Sequence, residues 1–118
     1  MIKPLVIALS FLGLICNMQW ASANTQEINH LLSFVESTQC KYERNGTLHS
    51  GVDAVAHIKK KYDYFKDDIK TTEDFIELSA TKSTMSGKVY NVHCPNEKAI
   101  TAKQWLLNEL ASFRQTQS

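Results

Sequence analysis

Cys40 and Cys94 are the two side chains whose chemistry is easiest to assign. The chain has three cysteines, but Cys16 directly follows an apolar N-terminal run and falls within what reads as a removable export segment. Two cysteines then remain, and an even count in an exported chain favours a disulfide. The four histidines, His30, His49, His57 and His93, include no close pair of the H-x-x-x-H type, so no metal and no cofactor is expected. His57 flanks an apolar stripe and reads as a core-edge histidine hydrogen-bonded to a neighbour. Ser79-Ala80-Thr81-Lys82 has the S-x-x-K spacing of penicillin-type acylation, but the companion S-D-N and K-T-G elements are absent, so the match is chance. Ser86-Gly87-Lys88 lacks the upstream glycine of a phosphate-binding loop, because Lys82 stands there.

Ser86-Gly87-Lys88-Val89-Tyr90 also has the pattern S-G-x-x-Y. It resembles the loop by which periplasmic inhibitors of c-type lysozyme enter the enzyme's cleft. The chemistry would be a hydroxyl and an ammonium meeting the two carboxylates of a retaining glycosidase. Those inhibitors are β-barrels, whereas this chain is mostly helical. The plainer reading is that Gly87 permits a turn and Tyr90 packs in the core.

These residues need a scaffold. Lys3, the apolar residues 5–15 and Ala21-Ser22-Ala23 read as a cleavable signal, so the domain expected is residues 24–118 and the location periplasmic. The apolar run is shorter than the roughly 20 residues of a membrane span, so no stable membrane insertion is expected after cleavage. Without Lys3 there are 12 basic and 12 acidic side chains. That balance lacks the basic footprint of a nucleic-acid binder. Lys59-Lys60-Lys61 reads as a solvated helix face beside Asp63, Asp67 and Asp68.

Asn24, with Glu27 three residues on as capping-box partner, starts a first helix with the stripe Ile28, Leu31, Leu32 and Val35, ending near Ser37. Ser50 and Asp53 start a second, striped by Val55, Ile58, Tyr62 and Phe65. Thr71 or Thr72 caps a third that turns Phe75, Ile76, Ser79 and Ala80 inward. Near Thr101 a fourth begins, with Ala102, Trp105, Leu106, Leu110 and Phe113 on one side and Trp105 mostly buried. Residues 40–46 and 86–94 read as strands. Set antiparallel with Cys40 opposite Cys94, Tyr42 faces Val92 and Arg44 faces Tyr90, which sorts apolar from polar side chains. Asn45-Gly46 is a turn signal, read as leading into a loop because a two-residue hairpin would set Leu48 opposite Glu43. The order is α-β-α-α-β-α. The fold class expected is α+β, with helices on one face of a two-stranded antiparallel ribbon and one disulfide.

Four blocks, Tyr42-Glu43-Arg44-Asn45-Gly46, Ala54-Val55-Ala56-His57-Ile58, residues 69–76 and Ser86-Gly87-Lys88-Val89-Tyr90, fall in the order seen in YfeK-like proteins. The chain resembles that family of small exported bacterial proteins of unknown function over nearly all of residues 24–118. The resemblance implies a periplasmic location and carries no activity. Val89 stands where the family pattern has proline before the tyrosine. From the residues, we read a soluble, non-enzymatic module that binds a periplasmic protein or small polar ligand, without nucleic acid. Its binding residues would be Arg44, Asn45, Ser86, Lys88 and Tyr90, where the turn, loop 81–86 and the strand ends converge. Arg44 would lie over the Tyr90 ring, or else pin the ribbon to Glu73 or the third helix. The other class is a small cell-envelope hydrolase, which would need a cleft joining His57, Arg44 and Glu73 to a hydroxyl of Ser83, Thr84 or Ser86.

The cysteine pair makes the first prediction. Closing 54 positions stabilises by about 4 kcal/mol in the chain-entropy model. Cys40→Ser or Cys94→Ser should therefore lower the melting temperature markedly. Oxidised and reduced protein melting together would contradict this.

Overall fold

Side chains cap each helix where the sequence places a capping residue. A computed structural model describes residues 24–117, so the expected export segment, with Cys16 and Trp20, lies outside the described residues. Asn24 accepts the Glu27 amide at the start of α1 (Thr25–Ser37) and Ser50 that of Asp53 at α2 (Gly51–Phe65). Thr71 and Asp74 form a reciprocal box at α3 (Thr72–Ala80), and Thr101 accepts the Gln104 amide at α4 (Ala102–Thr116). A single 3-10 turn, Lys66–Asp68, follows α2. No helix among the described residues is long and apolar enough to cross a membrane.

The sheet is larger than the expected ribbon. Four strands, β1 (Lys41–Arg44), β2 (Thr47–His49), β3 (Asn91–His93) and β4 (Ile100–Thr101), lie antiparallel in the order β2-β1-β3-β4. The class α+β and the disulfide stand; the two-stranded count does not. Asn45 and Gly46 both take positive φ, 50° and 83°, and close a two-residue hairpin with Leu48 opposite Glu43. The out-of-phase face that argued against this hairpin is tolerated because Leu48 is left exposed on the outer side. The short β4 runs straight into the cap of α4, which leaves no alternation to read.

Between β1 and β3 the register is the expected one, with Tyr42 opposite Val92, and Cys40 is bonded to Cys94 beyond the ladder's end. The pairing stops before Arg44 and Tyr90. The Tyr90 amide is spent on the Thr81 carbonyl and its carbonyl on the Ala102 amide. Residues 87–90 thus fold back on 81–83, bridged at Lys82 and Val89, instead of extending β3.

Tyr42 and Val92 project from the sheet into a core built from Ile28, Leu31 and Val35 of α1, Ile58 of α2, Phe75 and Ile76 of α3, and Leu106 and Leu110 of α4. Trp105 is mostly buried, as expected, though not fully enclosed. It covers the core edge between Phe34 and Tyr42, with ring centroids 4.6 and 6.4 Å away.

One charge read as a helix cap is turned inward. Glu27 does not close a capping box but turns into the protein. It accepts the Thr72 hydroxyl (2.6 Å) and two nitrogens of Arg114 (2.8 and 3.0 Å), and Arg114 also reaches Glu73 (2.8 Å). Arg114 therefore ties α4 to α1 and α3, and it holds both carboxyls below the usual carboxylate range. The alternative link of Arg44 to Glu73 is not made: Glu73 pairs with Arg114, and Arg44 lies by Tyr90. His30 pairs with Glu109 and stacks on Phe113, and His93 bonds Glu43 on the outer sheet face.

Gly51 allows α1 and α2 to approach. A Cβ there would lie 2.1 Å from the Val35 carbonyl oxygen and 3.1 Å from the Glu36 oxygen. Gly51→Ala should cost roughly 1–3 kcal/mol by overpacking, despite alanine's advantage of about 1 kcal/mol in a helix. Chemical denaturation showing equal or higher stability would refute the contact.

Candidate functional site

Tyr90 lies among His57, Arg44, Lys61 and Ser83. Its ring is buried, with Tyr42 beside it at 5.8 Å between centroids. Tyr42 donates its hydroxyl to the Ala80 carbonyl. The Tyr90 hydroxyl lies 3.4 Å from His57 Nε2, and Arg44 and Ser83 approach it from the sheet and the loop. Burial raises the Tyr90 phenol above its ordinary pKa, and Arg44 partly offsets that.

The cation over the Tyr90 ring is Lys61, with Nζ 5.3 Å from the centroid, and not Arg44 as the sequence suggested. Lys61 also corrects the reading of the lysine run. Lys59 and Lys60 are solvated, whereas Lys61 is 9 % exposed and donates to the Lys82 carbonyl at 2.6 Å. Its ammonium pKa is pushed down, first by burial, then by Arg44 and Lys82. A signal was available: Lys61 lies seven residues after Ala54 and three after Ile58, on the buried side of α2, one turn beyond His57. Among the described residues neither Arg44 nor Lys61 meets a carboxylate, and Arg44 Nε is buried without a hydrogen-bond partner. The cluster is cationic and uncompensated.

Of the five expected binding residues, Asn45 and Ser86 meet directly, the Ser86 hydroxyl donating to Asn45 Oδ1 at 2.7 Å. Arg44 and Tyr90 lie beneath them. Lys88 is exposed, and its amide donates to Ser86 Oγ at 3.2 Å. Ser83 organises the loop. Its hydroxyl oxygen accepts the amides of Met85 and Ser86, and its carbonyl accepts that of Gly87, whose φ is 75°. Met85 stands at the tip, 95 % exposed. Of the S-G-x-x-Y residues, Ser86, Gly87 and Lys88 are on the surface and Tyr90 is in the core. Ser79 is fully buried on α3, so its S-x-x-K spacing serves packing. No group of three or more metal-ligating side chains forms among the described residues.

An open groove of about 370 Å³ lies on the other side of the same loop, between α2 and α3. Lys61, Phe65, Glu77, Leu78, Lys82, Ser83, Thr84 and Gly87 line it.

The fold and cluster define a disulfide-braced α+β domain with a buried tyrosine ringed by unpaired cations. The chain belongs to a family of unknown function (DUF5329), matched over residues 22–114. Among curated proteins it is similar to the uncharacterized protein YfeK of Salmonella typhimurium, 33% identical over 75 residues. That match covers 60% of this chain and 62% of the relative, so it spans less than two thirds of the relative's length. No solved structure matches significantly.

His57 supplies a pH test. Burial first, then Arg44, Lys61, His49 and Lys60, push its pKa from 6.5 down to about 4. The native state therefore favours the neutral ring. The stability this gives is present above pH 6.5 and is lost as pH falls towards 4. The His57 ring resonances should stay unprotonated at pH 5.5, and His57→Gln should flatten the fall in melting temperature between pH 6.5 and 5. A ring titrating near 6.5 in folded protein would refute it.

Proposed function

We propose that this chain is an exported periplasmic module that binds a protein partner, without catalysis, through the surface formed by the Asn45-Gly46 turn and residues 83–88. The observation that carries the reading is the Asn45–Ser86 hydrogen bond. It clasps an exposed loop to a rigid hairpin and presents Met85 and Lys88 to solvent. Such preorganisation lowers the ordering cost of binding, and loops on rigid scaffolds are where recognition usually resides. The disulfide favours an oxidising compartment, in keeping with the expected signal. Arg44 and Tyr90 support the loop from below.

The hydrolase reading is weaker on chemical grounds. His57, ringed by cations, is a poor base near neutral pH, and Glu73 is held by Arg114. Ser83 spends its hydroxyl oxygen on two loop amides.

Immobilised protein should capture a partner from periplasmic extract. Ser86→Ala with Lys88→Ala should lose it while melting like the wild type. Capture unchanged by the double substitution, or none by the wild type, refutes this surface. Inhibition of a lysozyme-type glycosidase is the narrower version, favoured by the exposure of Ser86-Gly87-Lys88. It requires micromolar protein to slow lysis in a turbidity assay; no slowing removes it.

A further inference from the structure

The groove behind loop 83–88 has a different character from the loop's outer tip. Its cations are Lys61 and Lys82, and neither forms an ion pair among the described residues. Lys61 Nζ is fixed by one bond, to the Lys82 carbonyl, which leaves two of its three N–H groups for other acceptors. Behind it stand the Tyr90 ring and Arg44, so the positive field at the groove is larger than its own two lysines. One carboxylate is present. Glu77 lines the groove, but its Oε1 is held 2.8 Å from Lys103 Nζ, which balances its charge. Phe65 and Leu78 make an apolar wall, and Ser83 and Thr84 bring hydroxyls to the rim.

A half-enclosed cation without a counter-charge is costly in a fold that pairs Glu27, Glu73, Glu77 and Glu109 with cationic or imidazole partners. We propose that the groove between α2 and α3 is a binding site for a small organic anion, with a carboxylate or phosphate head on Lys61 and Lys82 and a short apolar body against Phe65 and Leu78. The volume of about 370 Å³ suits a molecule of several carbons. An anion there also stabilises the protonated form of Lys61, which burial and its cationic neighbours oppose. This site does not rest on the loop tip: Asn45, Ser86 and Lys88 do not line it.

The test is an amide-resonance titration of the disulfide-bonded protein with hexanoate, hexyl phosphate, inorganic phosphate, hexanol and hexyltrimethylammonium. Hexanoate or hexyl phosphate should give saturable shifts at Ser83, Thr84 and Gly87, and the tighter of the two identifies the head group. Hexanol and the ammonium should give none, and inorganic phosphate should bind more weakly than its hexyl ester. Lys61→Met should weaken binding roughly tenfold or more, by loss of a charge-assisted hydrogen bond. Should that variant misfold, Lys82→Gln, at an exposed side chain, should weaken binding severalfold with an unchanged melting temperature. Ser86→Ala with Lys88→Ala should bind as the wild type, which separates this site from the proposed protein surface. No saturable shift at millimolar anion, equal shifts with hexanol, or unaltered binding in a folded Lys61 or Lys82 variant would overturn the proposal.

Discussion

The antiparallel contact between β1 and β3, braced by Cys40–Cys94, is the constraint from which the remaining geometry follows. With Tyr42 fixed opposite Val92, the core-facing parity of both strands is set, since a one-residue slip would turn every side chain to the other face. Arg44 then leaves the sheet beside Tyr90, and the Asn45-Gly46 turn begins directly after it. Three- and four-residue strands are too short to hold such a register alone. The covalent link at one end and the helices behind the sheet supply the remainder.

Two styles of polar burial coexist in this small domain. At the α1–α3–α4 junction, Arg114 is matched by two carboxylates, and Glu27 gains Thr72 as a further donor. The charges there are compensated, and the arrangement joins three helices. Around Tyr90 the logic is reversed. Arg44, Lys61 and His57 converge with no carboxylate among the described residues, held by an aromatic face and backbone or hydroxyl oxygens. The first cluster stabilises the fold. The second leaves electrostatic capacity unused, which is why the binding proposals centre on the loop that covers it.

That loop has two faces because Ser83 sits at its pivot. Its hydroxyl gathers the Met85 and Ser86 amides and its backbone pairs with residues 87 and 88, so the outer tip is held rigidly while the inner side walls the groove. One short segment can therefore present an exposed apolar and basic tip outward and a cationic pocket inward.

Much of the local structure was legible in the sequence because its causes are local. Asn24, Ser50, Thr71 and Thr101 cap helices through bonds to residues three positions away, and the apolar stripes turn the expected faces inward. The Cys40–Cys94 pairing and the β1–β3 register followed from period-two alternation once Cys16 was set aside with the expected export segment. Other features were decided by partners distant in the chain. Glu27 carries a capping-box signature, yet Thr72 and Arg114, 45 and 87 positions away, claim its carboxylate. Leu48 argued against a hairpin, but the outer sheet face is uncovered and tolerates it. Lys61 looked like one of three solvated lysines until the returning chain placed the Lys82 carbonyl and Tyr90 over it. Sequence periodicity specifies which face of an element is apolar. Only the tertiary structure decides which polar groups that face must share its burial with, because desolvation and charge pairing depend on distances between segments that no local pattern records.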